Sequence, residues 1–263
     1  MDWRGLYCSS NPMIPYSNHP ILMRFVLYNI RYGTGGGKFH SPLNGYLRRT
    51  GKNFERIAQF LHDLNPDVAG LVEVDAGSYR SGKNNQAEMI AERLGHYHVY
   101  RSKYGENSMT RHFPVLNQQG NAFVVRDDGH KETFHYFDRG VKRLVIELEM
   151  EKATFFLIHL ALGSRLRHRQ LGDLYDLLQT VKKPHIVAGD FNALWGEQEV
   201  RLFLAATGLK NAHAANSPTF PSWNPKRHLD FILHSPDISV ERCWMPKVGF
   251  SDHLPIVCDF SVH

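Results

Sequence analysis

The sequence predicts an α/β (α+β) protein, a four-layer α-β-β-α sandwich in which two mixed, mainly antiparallel sheets lie between outer helices. Segments of strand character are many, helical segments are few, and the two kinds follow one another in mixed order. Of the 263 residues, 42% are hydrophobic and 22% are charged, which is sufficient for a sizeable core. Because no linker, repeat or low-complexity stretch interrupts the chain, we expect one domain over residues 23–263 after an N-terminal arm of residues 1–22.

The first third of the chain combines two strands with two amphipathic helices. The predicted elements are strand 23–30, loop 31–51, helix 53–64, strand 68–72 and helix 85–94. Asn53 has the residue type of an N-cap, and Pro66 follows the end of the same helix. Gly95 supplies the C-terminal stop of the second helix.

The rest of the chain is dominated by strands. The predicted elements are strands 99–100, 121–125, 133–137, 143–150 and 154–160, helix 165–181, strand 186–190, helix 197–207, and strands 229–233, 238–244 and 255–260. Consecutive strands joined by short turns predict antiparallel pairing. The basic residues that open the third helix, Arg165, Arg167, His168 and Arg169, are best interpreted as a solvated face.

Charge and cysteine content limit the classes of function. The net charge of +5 suits an anionic substrate, but ordinary solubility charge explains it equally well. The three cysteines, Cys8, Cys243 and Cys258, form no CxxC pair, so we expect neither a disulfide framework nor a structural zinc site. Reduced thiols of this kind are typical of the cytoplasm, so we expect a cytoplasmic location. No apolar run reaches membrane-spanning length, so we expect no integral membrane segment. We also expect a monomer.

The segment over residues 186–193, IVAGDFNA, is the most informative part of the chain. It reads as a buried strand that carries Asp190 and Asn192 to its C-terminal edge, on the same side because side chains alternate along a strand. Such a pair can bind a hard cation or hold a water in line with a phosphorus atom. An Asx turn that closes the strand is the alternative, and it explains this one segment at least as well.

Polar residues with catalytic chemistry end several other apolar strands. They are Asn29, Glu73, His159, Asp230, Asp252 and His253. Each of them taken singly has a structural explanation, such as a turn cap or a core histidine. Taken together they favour a site, because burying several carboxylates near one another is costly unless a cation neutralises them.

The order and spacing of these segments resemble the endonuclease/exonuclease/phosphatase superfamily over about residues 23–260. This superfamily includes deoxyribonuclease I, abasic-site endonucleases, neutral sphingomyelinases and inositol-polyphosphate phosphatases. The matching segments are Tyr28-Asn29-Ile30, Leu71-Val72-Glu73-Val74-Asp75, Ile158-His159-Leu160, Gly189-Asp190-Phe191-Asn192, Leu229-Asp230-Phe231 and Ser251-Asp252-His253. Further segments look like the compact bacterial hydrolases of the superfamily, namely Arg80-Ser81-Gly82, Gln86-Ala87-Glu88, Gly120-Asn121-Ala122, Arg139-Gly140 and residues 165–170. The resemblance implies a deoxyribonuclease I-like fold.

The resemblance also implies a role for each residue. The implied metal ligands for Mg²⁺, or Mn²⁺, are Glu73, Asn29 and Asp252. The implied catalytic residues are Asp190 and Asn192 at the attacking water, Asp230 behind His253, and His253 and His159 at the phosphate. The expected substrate contacts are Asn121 and, at the rim, Arg227. The oxygen donors favour Mg²⁺ or Mn²⁺ over zinc.

Two segments leave the substrate open. After Asn121 many relatives continue with a Ser-Arg-aromatic-Pro segment, whereas this chain continues with residues 123–128, FVVRDD. Phe220 and Trp223 are expected to pack beside the sheet, although Trp223 could instead stack a base. The basic loop over residues 31–49 reads as a mobile loop rather than a phosphate cradle.

The predicted function is a Mg²⁺-dependent phosphoester hydrolase, a phosphodiesterase or nuclease for which nucleic acid is one expected partner. A lipid-headgroup or small-molecule phosphodiesterase or phosphatase is the alternative, although the sequence shows no clear apolar rim. A non-catalytic nucleic-acid-binding descendant of the fold is a further alternative, and the full set of catalytic residues disfavours it.

Overall fold

The computed structural model describes residues 22–36, 50–103, 117–213 and 217–262. Within these ranges the strands are β1 Leu22–Asn29, β2 Val68–Asp75, β3 Tyr97–Ser102, β4 Gln119–Val125, β5 Lys131–Tyr136, β6 Leu144–Glu149, β7 Thr154–His159, β8 His185–Asp190, β9 Lys210–Asn211, β10 Asp230–His234, β11 Ile238–Trp244 and β12 Ile256–Val262. The α-helices are α1 Gly51–Leu64, α2 Gln86–Leu94, α3 Ser164–Leu178 and α4 Gln198–Thr207. A short 3-10 helix spans Arg31–Gly33.

The strands form two six-stranded sheets. The first has the order β11-β12-β1-β2-β4-β3, and the second has the order β5-β6-β7-β8-β10-β9. The pairs β1/β2 and β7/β8 are parallel, and the other neighbouring strands are antiparallel. The prediction of two mixed, mainly antiparallel sheets is confirmed.

Three apolar layers hold the sandwich together. Between the sheets, the ring of Phe155 lies 5.5 Å from that of Phe25 and 6.0 Å from that of Phe260, in a core to which both sheets contribute. The apolar faces of α1 and α2 cover the outer face of the first sheet, and α3 and α4 cover the second. Each fully buried Phe or Leu contributes about 1.5–3 kcal/mol relative to an exposed one. The predicted four-layer order follows from these faces.

The topology brings the polar strand ends to one edge of the sandwich. His159 at the end of β7 is in register with Asp190 at the end of the parallel strand β8. Asp230, which begins the antiparallel strand β10, is also in register with Asp190. In the first sheet, the end of β1 places Asn29 opposite Val72 of β2. The carboxyl ends of two parallel pairs therefore meet around Asp190.

Gly189 is explained by the close approach of β7. A Cβ atom at this position would lie 2.0 Å from the carbonyl oxygen of Ile158. Real Cβ contacts are never this short, so only glycine allows β7 and β8 to pair beside Asp190.

Several predicted boundaries are wrong. Helix α1 begins at Gly51, and the Asn53 side chain does not cap it but donates hydrogen bonds to the Gly33 and Phe250 carbonyls at 3.0 and 2.7 Å. Strand β2 extends to Asp75, beyond the predicted end, because a β-bulge lets it turn past Glu73. The two-residue strand β9 has too little pattern to be predicted.

Parts of two predictions lie outside the described residues. They are most of the N-terminal arm, residues 1–21, which includes Cys8, and residues 37–49 of the basic loop. Leu22, the last residue of the predicted arm, begins β1.

None of the described helices has the length and apolar character needed to cross a membrane.

Candidate active site

Asp190 lies at the centre of the polar cluster. Its Oδ2 accepts a hydrogen bond from Asn29 Nδ2 at 3.1 Å, and its Oδ1 accepts one from the backbone N–H of Asn192 at 3.0 Å. Burial raises the pKa of Asp190 to about 6, and Asp230 adds to this rise while His253 opposes it. Without a cation, the Asp190 carboxylate is therefore an ionised but poorly solvated base near neutral pH.

His253 and Asp230 form a buried ion pair beside Asp190. His253 Nδ1 lies 2.7 Å from Asp230 Oδ2, which also accepts a hydrogen bond from Thr219 Oγ1 at 2.5 Å. Burial alone would lower the pKa of His253, but Asp230, Asp190 and Asp252 raise it to about 10. The imidazole is therefore cationic at neutral pH, with Nε2 3.9 Å from Asp190 Oδ2.

His159 joins the two sheets at the same point. Its Nε2 lies 3.4 Å from Asp190 Oδ2 and 3.9 Å from Glu73 Oε1, and it contacts Lys142 Nζ. Burial, together with the positive charges of Lys142 and Lys103, lowers the pKa of His159 well below its usual value. His159 is therefore a neutral imidazole between two carboxylates.

Glu73 reaches the cleft because of the bulge in β2. The register with β4 shifts between Leu71 and Val74, and Glu73 has a left-handed φ of 58°. Its N–H donates a hydrogen bond to Asn121 Oδ1 at 3.4 Å. Such a backbone conformation costs about 1–3 kcal/mol and is found at functional sites. Among the described residues none donates a hydrogen bond to its carboxylate, which remains available to a ligand.

Arg31 connects Asp252 to Asn29. Its Nε lies 3.3 Å from Asp252 Oδ2, and its backbone N–H donates a hydrogen bond to Asn29 Oδ1 at 3.1 Å. Burial raises the pKa of Asp252, with a further rise from Glu73, whereas His253 and Arg31 oppose it. Asp252, Glu73 and Asn29 thus form the first-sheet side of the site.

Part of this cluster borders a cleft of 660 Å³. Its lining includes Glu73, Asp190, Asn192 and His253, together with Phe220, which was expected to pack beside the sheet, and three side chains that the sequence did not identify, namely Tyr32, Lys103 and Lys142. The Phe220 ring packs 5.0 Å from the His253 ring. The two lysines lie in connecting segments without a motif, so no sequence signal separated them from ordinary surface lysines.

A buried network supports the lysine side of the cleft. Lys103 Nζ donates a hydrogen bond to Tyr32 Oη at 2.9 Å, and burial lowers the pKa of Lys103 to about 8. The Arg80 guanidinium lies 4.4 Å from the centre of the same Tyr32 ring and donates to Asp75 Oδ2 at 2.9 Å. On the opposite side, Gln170 donates to the Lys142 carbonyl at 2.6 Å. These buried contacts fix the positions of both lysines.

Two expected substrate contacts do not line the cleft. Asn121 is buried beneath Glu73, whose backbone it holds. Arg227 is exposed and lies outside the lining of the cleft.

The third helix also differs from its prediction, because Arg167 is buried and donates hydrogen bonds to Glu199 at 2.6 and 2.7 Å instead of facing solvent. It joins α3 to α4.

The donors on the first-sheet side fit a hard divalent cation. Glu73 and Asp252 offer carboxylates and Asn29 offers an amide oxygen, the donors that Mg²⁺ and Mn²⁺ prefer. Asp190, Asp230 and His253 also bring one ligand atom each within 4.8 Å of the others. In that second group His253 is cationic, with Nδ1 bonded to Asp230, so it opposes a metal ion. The Glu73 side is the better site for the cation.

The fold and the site define the class of deoxyribonuclease I-like phosphoester hydrolases. A model of the endonuclease/exonuclease/phosphatase family matches residues 26–253, and the chain belongs to this family. The family resemblance of the sequence is thereby confirmed.

Solved structures share this fold at low sequence identity. An endonuclease/exonuclease/phosphatase family protein from Bacteroides thetaiotaomicron matches with a TM-score of 0.69 and 16% identity, covering 93% of this chain and 99% of that one. The catalytic domain of human Nocturnin, with a bound sulfate anion, matches with a TM-score of 0.65 and 21% identity, covering 93% and 94%. A UPF0294 protein of Erwinia tasmaniensis is 29% identical over 109 residues, 40% of this chain and 39% of that protein. The match thus spans about two-fifths of that relative's length.

Proposed function

We propose that the protein is a Mg²⁺-dependent phosphodiesterase of nuclease type, which cleaves a P–O bond by direct attack of water. One observation carries this proposal. The buried Asp190 carboxylate lies between the neutral imidazole of His159 and the cationic imidazole of His253, and the Glu73 carboxylate lies 3.9 Å from His159. A base, a cationic donor and a metal ligand thus face one cleft, which is the set that hydrolysis of a phosphoester needs.

The residues divide the chemistry among them. Asp190, held by Asn29 and Asn192, would orient the attacking water and take its proton. His253, held in one orientation by Asp230, would donate a hydrogen bond to the phosphoryl group as negative charge develops there. Bound Mg²⁺, or Mn²⁺, would neutralise that same charge.

The lysines give the cleft its preference for an anion. Lys142 lies against His159, and Lys103 lies beside Glu73 and Tyr32. With a phosphate bound, we propose that Lys142 turns to a phosphate oxygen and leaves His159 Nε2 to donate to another. In this proposal the phosphate of the substrate would lie between the lysines and Asp190.

Supercoiled plasmid tests the substrate and the metal together. We expect the wild-type protein to nick plasmid in Mg²⁺ and to lose this activity in EDTA, with recovery when Mg²⁺ or Mn²⁺ is restored. Glu73→Gln should need more Mg²⁺ for half-maximal activity, because an amide is a weaker ligand than a carboxylate. Glu132→Gln, an exposed change on β5, is the matched control.

Nicking that persists in EDTA would contradict the metal proposal. An absence of nicking by the wild type would exclude duplex DNA and leave RNA, lipid headgroups or small phosphoesters as substrates. Hydrolysis of bis-p-nitrophenyl phosphate would then distinguish an inactive protein from an enzyme with another substrate.

Lys142→Ala is expected to lower kcat/KM roughly ten- to hundredfold, because a hydrogen bond to a charged group contributes about 1.5–3 kcal/mol. The acid limb of the pH–rate profile should also move to higher pH, since Lys142 lowers the pKa of Asp190. Steady-state kinetics across pH measure both effects. Lys131→Ala, an exposed change on β5, is the matched control, and equal kinetics for the two variants would remove Lys142 from the site.

A specific observation favours a second candidate function, the hydrolysis of a phosphodiester that carries an apolar group. Contrary to the expectation from the sequence, the cleft has an apolar rim, in which Val141 is 61% and Leu162 is 55% exposed. Trp195, which follows the lining residue Leu194, is 85% exposed. Faster hydrolysis of a lysophospholipid than of plasmid or bis-p-nitrophenyl phosphate would favour this candidate over the nuclease.

The cytoplasmic location and the monomeric state expected from the sequence stay predictions.

A further inference from the structure

Two cysteines face each other on neighbouring strands at the far edge of the first sheet. In the antiparallel pair β11/β12, Cys243 is directly opposite Cys258, and both pack into the core between the sheets. Directly opposed residues have Cα atoms about 4.5 or 5.5 Å apart. Both values fall in the range of about 4.4–6.8 Å that a disulfide spans. The two thiols are free in the structure, and the Cα separation of their strands is compatible with a disulfide between them.

A chain of hydrogen bonds from Glu197 determines the tautomer of His213. Glu197 Oε1 lies 2.8 Å from His228 Nδ1, which therefore carries a proton. Burial and the neighbouring His213 lower the pKa of His228, so its ring is neutral and Nε2 has a lone pair. His213 Nε2, 2.6 Å from this atom, must donate to it. In the neutral form of the His213 ring, Nδ1 then carries the lone pair.

This Nδ1 atom is available to accept a proton. His213 is 9% exposed, and its Nδ1 is buried and has no hydrogen-bond partner in the described part of the chain. The neighbouring Cys258 thiol, and next to it the His213 ring, lower the pKa of the Cys243 thiol to about 6, although burial opposes this change. The buried Cys258 remains a thiol, because its pKa is raised. Cys243 thus has the character of an attacking thiolate, and Cys258 that of a resolving thiol.

We propose that Cys243 and Cys258 form a dithiol site that is oxidised by hydroperoxides, with His213 as the base of Cys243. The Cys243 thiolate attacks one oxygen of the hydroperoxide, so that an S–O bond forms and the O–O bond breaks. The departing oxygen takes the proton held by His213 and leaves as an alcohol, or as water from hydrogen peroxide. Cys258 then attacks the sulfenic sulfur, and the S–O bond breaks with loss of water as the disulfide forms.

The surroundings favour this chemistry over a metal site. Cys243 is partly exposed, so a small peroxide can reach it, whereas Cys258 is buried. Within the described residues, the donors of His213, Cys243 and Cys258 do not all lie within 4.8 Å of one another. The disulfide would close a loop that contains Asp252 and His253, and would thus fix the segment that carries two candidate site residues.

The test uses the full chain with Cys8→Ser, treated with hydrogen peroxide at neutral pH. The intact mass should fall by two hydrogen atoms, and non-reducing peptide mapping should find Cys243 linked to Cys258. In the further variant Cys258→Ser, oxidation should stop at a sulfenic acid on Cys243 that dimedone labels. His213→Gln should slow the oxidation roughly tenfold, whereas the matched control His185→Gln should leave it unchanged.

Two results would overturn the proposal. One is wild-type protein in which both thiols stay reduced at peroxide concentrations that oxidise an exposed cysteine peptide. The other is purified protein with stoichiometric zinc that blocks alkylation of Cys243 and Cys258, which would assign the same residues to a metal. Peptide mapping is done on protein that keeps both cysteines. It therefore still tests for the disulfide if Cys258→Ser does not fold.

Discussion

Asp190→Asn is expected to lower kcat by about 10²–10⁴-fold, the range that positioned acid–base catalysis contributes. Asparagine has the shape of aspartate but accepts no proton from water, so both the base and its negative charge are lost. The change also removes the charge that Asn29 and the cationic His253 face. Steady-state kinetics with the best substrate from the plasmid and bis-p-nitrophenyl phosphate assays measure the effect.

The thermal midpoint of Asp190→Asn should stay close to that of the wild type. The amide oxygen keeps one of the two hydrogen bonds that Asp190 accepts, and the lost bond costs about 1 kcal/mol. The substitution also removes the unfavourable free energy of burying an ionised carboxylate, which is the reason that burial raises the pKa of Asp190, and this gain offsets the cost. Asp237→Asn, an exposed change before β11, is the control. Retained activity in Asp190→Asn would exclude Asp190 as the base.

Arg80→Ala is expected to lower the free energy of unfolding by about 3–5 kcal/mol, the cost of breaking a buried ion pair by removing one partner. The side chains of Arg80 and Asp75 are both 0% exposed and lie 2.9 Å apart. Asp75 also accepts hydrogen bonds from Ser78, but these do not neutralise its charge. Urea denaturation measures the change in midpoint and slope.

Arg93→Ala is the matched control for this effect. Arg93 pairs with Glu55 at 2.6 Å, but the two side chains are 33% and 49% exposed. An exposed pair contributes about 0.2–1 kcal/mol, so the two variants should differ several-fold. Similar losses in both would show that the Asp75 network does not behave as a buried ion pair. Because Arg80 stacks on Tyr32, which holds Lys103, a weaker substrate affinity in Arg80→Ala is a second expected effect.

Much of the fold was predictable because it depends on local pattern. Short apolar runs identified the main strands, and the apolar spacing over residues 53–64 identified α1. The exact ends were less predictable, since they depend on tertiary contacts. Asn53 has the residue type of an N-cap, yet its side chain is used to bind Gly33 and Phe250. Residue type alone does not distinguish these uses.

The candidate site was predictable where its residues end apolar strands. Asn29, His159 and Asp190 follow strands whose parallel pairing places their carboxyl ends at one edge. Glu73 was identified from its motif, but the bulge that turns it into the cleft was not. Asn121 was expected at the substrate and lies beneath Glu73 instead, because its side chain satisfies the backbone of the bulge.

The sequence by itself determined which residues carry chemistry and which faces are apolar, because periodicity and residue type are local properties. Only the tertiary structure placed Lys103 and Lys142 opposite Asp190, and set Cys243 beside Cys258 and His213. These contacts join segments far apart in the chain. Their distances depend on how the two sheets pack and on where the loops cross them. Closing those loops lowers the entropy of the chain, and only the burial of the complete core offsets this loss.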